Sequence, residues 1–352
     1  MANFTGQLRS NEIFSALFNM IISQEVFADN IKGGDLVDQA RVDGTLYGDT
    51  KLYYSTDALV SSVWGNDAEA SNLLALHRPE APKCQAIVLD KFRQIALTVD
   101  YYLSKRAWGS ADAFSSFTSV MLGWIADTRK VYDGTTYNAF IGTCVGAAAK
   151  HLVEVPLSDI TATGEEKNRL EAQMIAQYIA DLMTEMSDYS RDFNDYGQLR
   201  RYSKEEIKII WNSKFVNKIT KLDLPTIFHM DGVVQLTKDV LPSKYFGEVN
   251  AQATQGNGTT VRSLIEQVIG SNHYFAGDLI KTSDTAPANT SYTVDEDVVC
   301  KVFVKLPPYM SSFEVATSFF NPKSLTENHY LTFGRNTLEI LKNYPCITVH
   351  AD

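Results

Sequence analysis

The sequence predicts an α+β fold. Two long helical stripes, over 110–132 and from Thr163 onward, and two cleanly alternating strands, at 84–99 and from Val298, supply its elements. They do not follow one another in the strand–helix–strand rhythm of a doubly wound parallel sheet, which leaves helices and strands in separate blocks. The 352 residues are enough for roughly two domains of the usual ~100–200 residues.

Composition narrows the class further. Hydrophobic residues are 45% and charged residues 21%, as in a folded chain. The net charge of −10 argues against a general nucleic-acid binder, whose affinity rests on cationic neutralisation of phosphates. Cys84, Cys144, Cys300 and Cys346 lie at least 46 residues apart, without zinc-ribbon spacing, and read as reduced core residues rather than disulfide partners. The polar-interrupted N-terminus does not read as a signal peptide, and no apolar run approaches the ~18 residues that span a bilayer. The N-x-S/T sequons at Asn3, Asn257 and Asn289 are therefore read as chance matches.

In chain order, Ile13, Phe14, Leu17, Phe18, Ile21 and Ile22 predict an amphipathic helix, docked on its own core or laid on a neighbouring molecule. From Gly33 to about Lys83, glycines punctuate short β-prone pieces (45–47 and 52–55) and Pro79 and Pro82 close the stretch, which reads as an extended excursion. A strand over 84–99 puts Ile95, Leu97 and Val99 on one face and Gln94, Ala96 and Thr98 on the other. The helix over 110–132 carries Phe114, Phe117, Met121, Trp124, Ile125 and Thr128 on one face, is expected to bury Phe114, Phe117, Met121 and Trp124, and ends at Asp133-Gly134, with Gly123 its weak point.

A second long helix opens with the capping box Thr163-Gly164-Glu165-Glu166 and carries the stripe Leu170, Met174, Tyr178, Ile179, Leu182 and Met186. A strand over 207–211 and a short helix over 213–221 follow, then polar loops over 247–260 and 283–293. From Val298 to Leu306 the alternation marks a half-buried strand, with Lys301 and Lys305 flanking Phe303 on its second face.

Catalytic patterns are missing. Gly256-Asn257-Gly258-Thr259-Thr260 lacks the Lys-Ser/Thr of a phosphate loop, and no GxSxG, HExxH or GxGxxG is present. His151 with Glu154 and His229 with Asp231 lack a third ligand at metal spacing. Glu165-Glu166 is explained by capping and the helix dipole, and Glu205-Glu206 after Ser203 by a helix or turn start. Neither an enzyme activity, a cofactor nor a metal is expected.

Taken together, the segments resemble the major capsid proteins of tailed bacteriophages, with the Hong Kong phage-type capsid fold that encapsulin shells share. The axial-domain strand and turn of that family are matched by Lys204-Glu205-Glu206-Ile207-Lys208-Ile209-Ile210-Trp211-Asn212-Ser213-Lys214-Phe215, with Ser213 where the family usually has Pro, and by the helix and linker over 216–228. Phe319-Phe320-Asn321-Pro322-Lys323 and the final Tyr344-Pro345-Cys346-Ile347-Thr348-Val349 resemble its closing peripheral-domain strands.

The resemblance implies an N-terminal arm (1–40), an extended loop (41–83), a peripheral domain with a spine helix (84–190), an axial domain (191–297) and C-terminal peripheral strands (298–352). It implies a virion capsid protein that forms an icosahedral shell from hexamers and pentamers in the host cytoplasm, with no membrane and no specific nucleic-acid binding. About forty N-terminal residues are too few for a fused scaffold, so a separate scaffolding protein and a portal are expected as partners. In the extended loop, Tyr47, Tyr53, Tyr54, Val63 and Trp64 are the candidate intersubunit contacts, being more apolar than a solvated loop should be. Folding back on its own domain is the alternative. At this stage an encapsulin-like nanocompartment shell and a soluble α+β metabolic enzyme with scattered site residues also remain open.

Overall fold

A computed structural model describes residues 35–43, 50–61, 76, 78–100, 111–220, 239–250 and 291–352. The N-terminal helix expected over 13–22, the pair His229 and Asp231 and most of the 247–260 loop lie outside these residues.

The first of two five-stranded sheets is an elongated ribbon. Its order is β1 (Arg41–Asp43), β10 (Tyr309–Asn321), β11 (Thr326–Asn336), β3 (Lys83–Asp100) and β2 (Thr50–Ser55). All its pairs are antiparallel except β1 on β10. The 18 residues of β3 reach roughly 60 Å at ~3.3 Å per residue. Its alternation is the one the sequence predicts: Ile87, Leu89 and Val99 are buried, Ile95 and Leu97 half-buried, and Phe92, Gln94, Ala96 and Thr98 exposed.

Helix α1 (Asp35–Ala40) precedes the ribbon and buries Leu36, Val37 and Ala40. Helix α2 (Ala111–Thr143) runs unbroken through Gly123 for 33 residues, about 50 Å at ~1.5 Å per residue. Ile125 and Tyr132 pack on Leu331 and Phe333 of the ribbon, beside Ile95 and Leu97. Two expectations fail here. Trp124 is 49% exposed, because Ile125, one residue round the helix, takes the ribbon contact. The helix also does not stop at Asp133-Gly134. Both residues are buried, and the Asp133 carboxylate accepts a hydrogen bond from the Tyr309 hydroxyl at 2.5 Å with Arg129 3.7 Å away. Tyr137, Phe140 and Ile141 beyond them enter the core, so tertiary packing overrides a local stop signal. The side chains of Phe114, Phe117 and Met121 lie outside the described residues.

The second sheet is the centre of the molecule: β4 (Leu152–Val155), β12 (Cys346–Ala351), β9 (Val298–Phe303), β5 (Lys208–Asn212) and β6 (Val240–Leu241). The C-terminal half of α2 covers one face through Ile210, Phe303 and Cys346. Helix α3 (Glu165–Met186) covers the other through Ile209, Val302, Ile347 and Val349. Strand β9 is consequently buried on both faces rather than half-buried. It also carries a bulge: Val349 pairs with Cys300 and His350 with Val298, so Val299 is an extra residue and Val298 and Cys300 belong to different cores.

Thr163 does not cap α3. Gly164 occupies that position with φ 73°, no side chain caps the helix, and Glu165 and Glu166 lie in the first turn, where the helix dipole favours them. The buried stripe is Ala172, Ile175, Ile179, Leu182, Met183 and Met186, rotated from the expected one, with Leu170 exposed. Helix α4 (Ser213–Thr220) follows β5 as predicted. The small pair β7 (Gly247–Asn250) and β8 (Ser291–Val294) stands where two polar loops were expected to begin and end. Three cysteines are buried, whereas Cys84 is exposed because it falls on the outward parity of β3.

Candidate assembly surface

The excursion leaves the molecule from a fixed root. Strand β2 pairs with the start of β3, Thr50 opposite Val88 and Ser55 opposite Lys83, so the chain leaves the ribbon after Ser55 and returns to it at Lys83. At the root the buried Ser55 hydroxyl donates to Asn343 Oδ1 at 2.7 Å and also contacts Gln198 Oε1. Asp57 accepts from the Arg191 guanidinium, from the Leu199 N–H at 2.9 Å and from the Ala58 N–H at 2.8 Å. The Arg191 hydrogen bond is the main reason its carboxyl is held down to about 2. Arg200 adds a donor to the Thr56 carbonyl at 2.5 Å. Arg191, Gln198, Leu199 and Arg200 belong to the loop after α3, itself closed by a bridge between Ser190 and Arg200.

Just beyond this root Leu59 is 78% and Val60 98% exposed. Of the five candidate contacts, Tyr53 and Tyr54 alone are described, and they diverge because adjacent strand residues face opposite ways. Tyr54 is 65% exposed. Tyr53 is half-buried on its own chain, under the Lys305 ammonium, which lies 5.7 Å from its ring and 5.5 Å from that of Tyr344. Burial, and secondarily Tyr344, push its phenol up. Tyr47, Val63 and Trp64 lie outside the described residues.

The ribbon contributes a second surface that sequence reasoning missed. Its outward face mixes apolar Val88 and Phe92 with polar pairs, Gln94 to Thr332 at 3.1 Å and Thr98 to Asn328 at 2.6 Å. At its far end the β10–β11 hairpin turns through Pro322, Lys323, Ser324 and Leu325, with the Lys323 N–H donating to Asn321 Oδ1 at 3.1 Å. Leu325 sits at φ 55°, a left-handed conformation bulky residues rarely adopt. Phe319 (61% exposed), Phe320 (49%) and Leu325 (42%) all lie near this tip, with the two phenylalanines on opposite faces of β10. An Asn-Pro turn between two β-prone runs was the available signal for this hairpin.

Among the described residues no group of three or more His, Cys, Asp or Glu is placed to hold a metal ion, and no helix is long and apolar enough to cross a membrane. His151 is turned to the Ala148 carbonyl at 2.6 Å, not to Glu154.

A family model of the Phi29-like phage major capsid protein matches residues 4–338. The fold is similar to a chain in the capsid structure of Staphylococcus phage Andhra, with TM-score 0.62 and 12% identity over 95% of this chain and 88% of that one. It is also similar to a chain in the structure of head fiber and inner core protein gp22 of native bacteriophage P68, with TM-score 0.64 and 11% identity over 99% and 92%. No curated protein matches the chain.

Proposed function

The chain belongs to the family of Phi29-like phage major capsid proteins, and from that premise we propose that its subunits join by laying the 56–82 excursion and the ribbon tip on neighbouring copies. It is a major capsid protein that self-assembles into an icosahedral shell around the genome of a tailed phage. The family match over residues 4–338 carries this conclusion, and the α+β fold shared with the Andhra capsid chain agrees with it.

The finer reading assigns α2 as the spine helix and divides the chain into an arm (1–40), an extended loop (41–83), a peripheral part (84–190 with 298–352) and an axial part (191–297). The pairing of β4 with β12 supports grouping 84–190 with the C-terminal segment. The pairing of β9 with β5 joins that group to the axial part within one sheet, so the two should move together. Hexamers and pentamers are the expected building units, assembled in the host cytoplasm with a separate scaffolding protein and a portal. The wall's net charge of −10 per subunit keeps it from clinging to packaged DNA. No observation favours the encapsulin-like or the enzymatic alternative.

The intersubunit role rests on the exposure of Tyr54, Leu59 and Val60 above a rigid root. Scattered apolar residues are normal on a surface, but Leu59 and Val60 follow directly on a segment held in direction by Asp57 and Arg200, with Tyr54 exposed on the strand before it. The test replaces residues 59–78 with a short Gly/Ser linker and leaves β2 and its root in place. The variant should fold cooperatively and fail to assemble. Normal shells from this variant would overturn the intersubunit role while leaving the family assignment intact.

A further inference from the structure

Helix α2 ends against the last strand of the chain at a point where two thiols meet. Cys144 follows the helix directly, and Cys346 opens β12; their Sγ atoms are 3.7 Å apart although 202 residues separate them. Both are buried, at 7% and 3% exposure. Gly146 lets the chain after the helix come this close, since a Cβ there would lie 2.5 Å from the Cys346 carbonyl oxygen. Lys301 reaches the same place. It is 2% exposed, and its Nζ donates to the Cys144 carbonyl at 2.9 Å and to Thr348 Oγ1 at 2.7 Å, both neutral acceptors. Cys144 itself donates its thiol hydrogen to the Ile141 carbonyl at 3.3 Å, so its thiolate forms when that proton leaves, and the nearby Lys301 charge favours the anion. The hydrogen bond from Cys346, with the Lys301 charge, holds the Cys144 thiol down, while the same hydrogen bond and burial push the Cys346 thiol up.

We propose that Cys144 and Cys346 are a redox pair that closes to a disulfide on meeting a peroxide, stapling α2 to β12. The Cys144 thiolate attacks one peroxide oxygen; the O–O bond breaks, hydroxide leaves, and the sulfur becomes a sulfenic acid. Cys346 then attacks that sulfur. The S–S bond forms as the S–O bond breaks, and the departing hydroxide takes the Cys346 proton, so two thiols and hydrogen peroxide yield one disulfide and two waters. The sulfurs need a side-chain rotation to close from 3.7 Å to the ~2.05 Å of a disulfide. Val145, next to Cys144, is 58% exposed, so the pair lies one residue from the surface. Cys300 is unsuited to the role: burial pushes its thiol up. Cys84 is exposed and serves as an internal control for oxidant reach. The pair lies within one chain, so free subunit and shell should behave alike.

The experiment treats the native full-length protein with hydrogen peroxide, quenches, alkylates in denaturant, and reads intact mass and a peptide map. The expected result is loss of two hydrogens, a linked peptide joining Cys144 to Cys346, and a thermal midpoint raised by roughly 5 °C that falls back on reduction. In Cys346→Ser, Cys144 should stop at a sulfenic acid that dimedone traps. Oxidation of Cys84 with Cys144 and Cys346 still alkylated as free thiols would overturn the proposal, as would a bond from either to a different cysteine. The decisive readout is on the unmodified sequence, so a misfolded variant would not obscure it.

Discussion

Asp57 and Arg191, 134 residues apart, form an ion pair that ties the root of the excursion to the loop after α3. The excursion is thereby fixed in direction where it leaves the ribbon, although Leu59 and Val60 just beyond are exposed. An acid whose folded-state pKa is depressed stabilises above its unfolded value and loses that effect as pH falls through the folded one. With the Asp57 carboxyl held at about 2 against an ordinary 3.8, the tie should hold from neutral pH to about 4 and be lost between there and 2. Asp57→Asn should remove the ion pair at neutral pH. Hydrogen exchange at residues 50–58 is expected to quicken with little change in global melting; unchanged exchange would show that the pair does not hold the root.

Two glycines of α2 should respond in opposite directions to the same substitution. Nothing lies within 4 Å of a Cβ at Gly123, so Gly123→Ala should stabilise the helix by about 1 kcal/mol. At Gly142 a Cβ would overlap the Tyr245 carbonyl, a backbone group that cannot turn aside, so Gly142→Ala should destabilise by about 1–3 kcal/mol. Urea denaturation of the two variants checks both signs.

Removing the Tyr309 hydroxyl should expose the cost of burying Asp133. Burial raises the Asp133 pKa, opposed by the hydrogen bond from Tyr309 and by the charges of Arg129 and Arg41. Tyr309→Phe takes away that hydrogen bond and should raise it further, destabilising by about 1–3 kcal/mol at neutral pH. A raised acid favours the folded state while protonated and loses that advantage as pH rises, so the deficit should shrink towards about pH 4. Urea titrations at the two pH values measure it, and an equal deficit at both would contradict the account.

The hairpin tip should matter for assembly and little for folding. Phe319 and Phe320 are exposed, so Phe319→Ser with Phe320→Ser should leave the urea midpoint within error and slow or abolish shell formation, read by light scattering. Unimpaired assembly would remove the tip from the contact surface.

What the sequence disclosed followed local physics. The alternation over 84–99 survives in β3 because one face packs on α2 and the other meets solvent. The strand at 207–211 and the following helix were equally legible. Failures came where distant residues decide. Asp133-Gly134 reads as a stop unless Tyr309 and Arg129 are known to face it. The period-two pattern from Val298 concealed the bulge at Val299, which exists only in register with β12. Tyr53 and Tyr54 read alike as apolar neighbours in the sequence, and pairing with β3 sets them on opposite faces. The thiol pair was invisible because 202 residues separate its members.

Whether this chain builds shells can be seen by electron microscopy of the purified protein, with sedimentation velocity on the same sample. Hexameric or pentameric rings and curved or closed shells tens of nanometres across, increasing with protein concentration, are expected. A monomer or small closed oligomer that keeps one size at every concentration would contradict shell building.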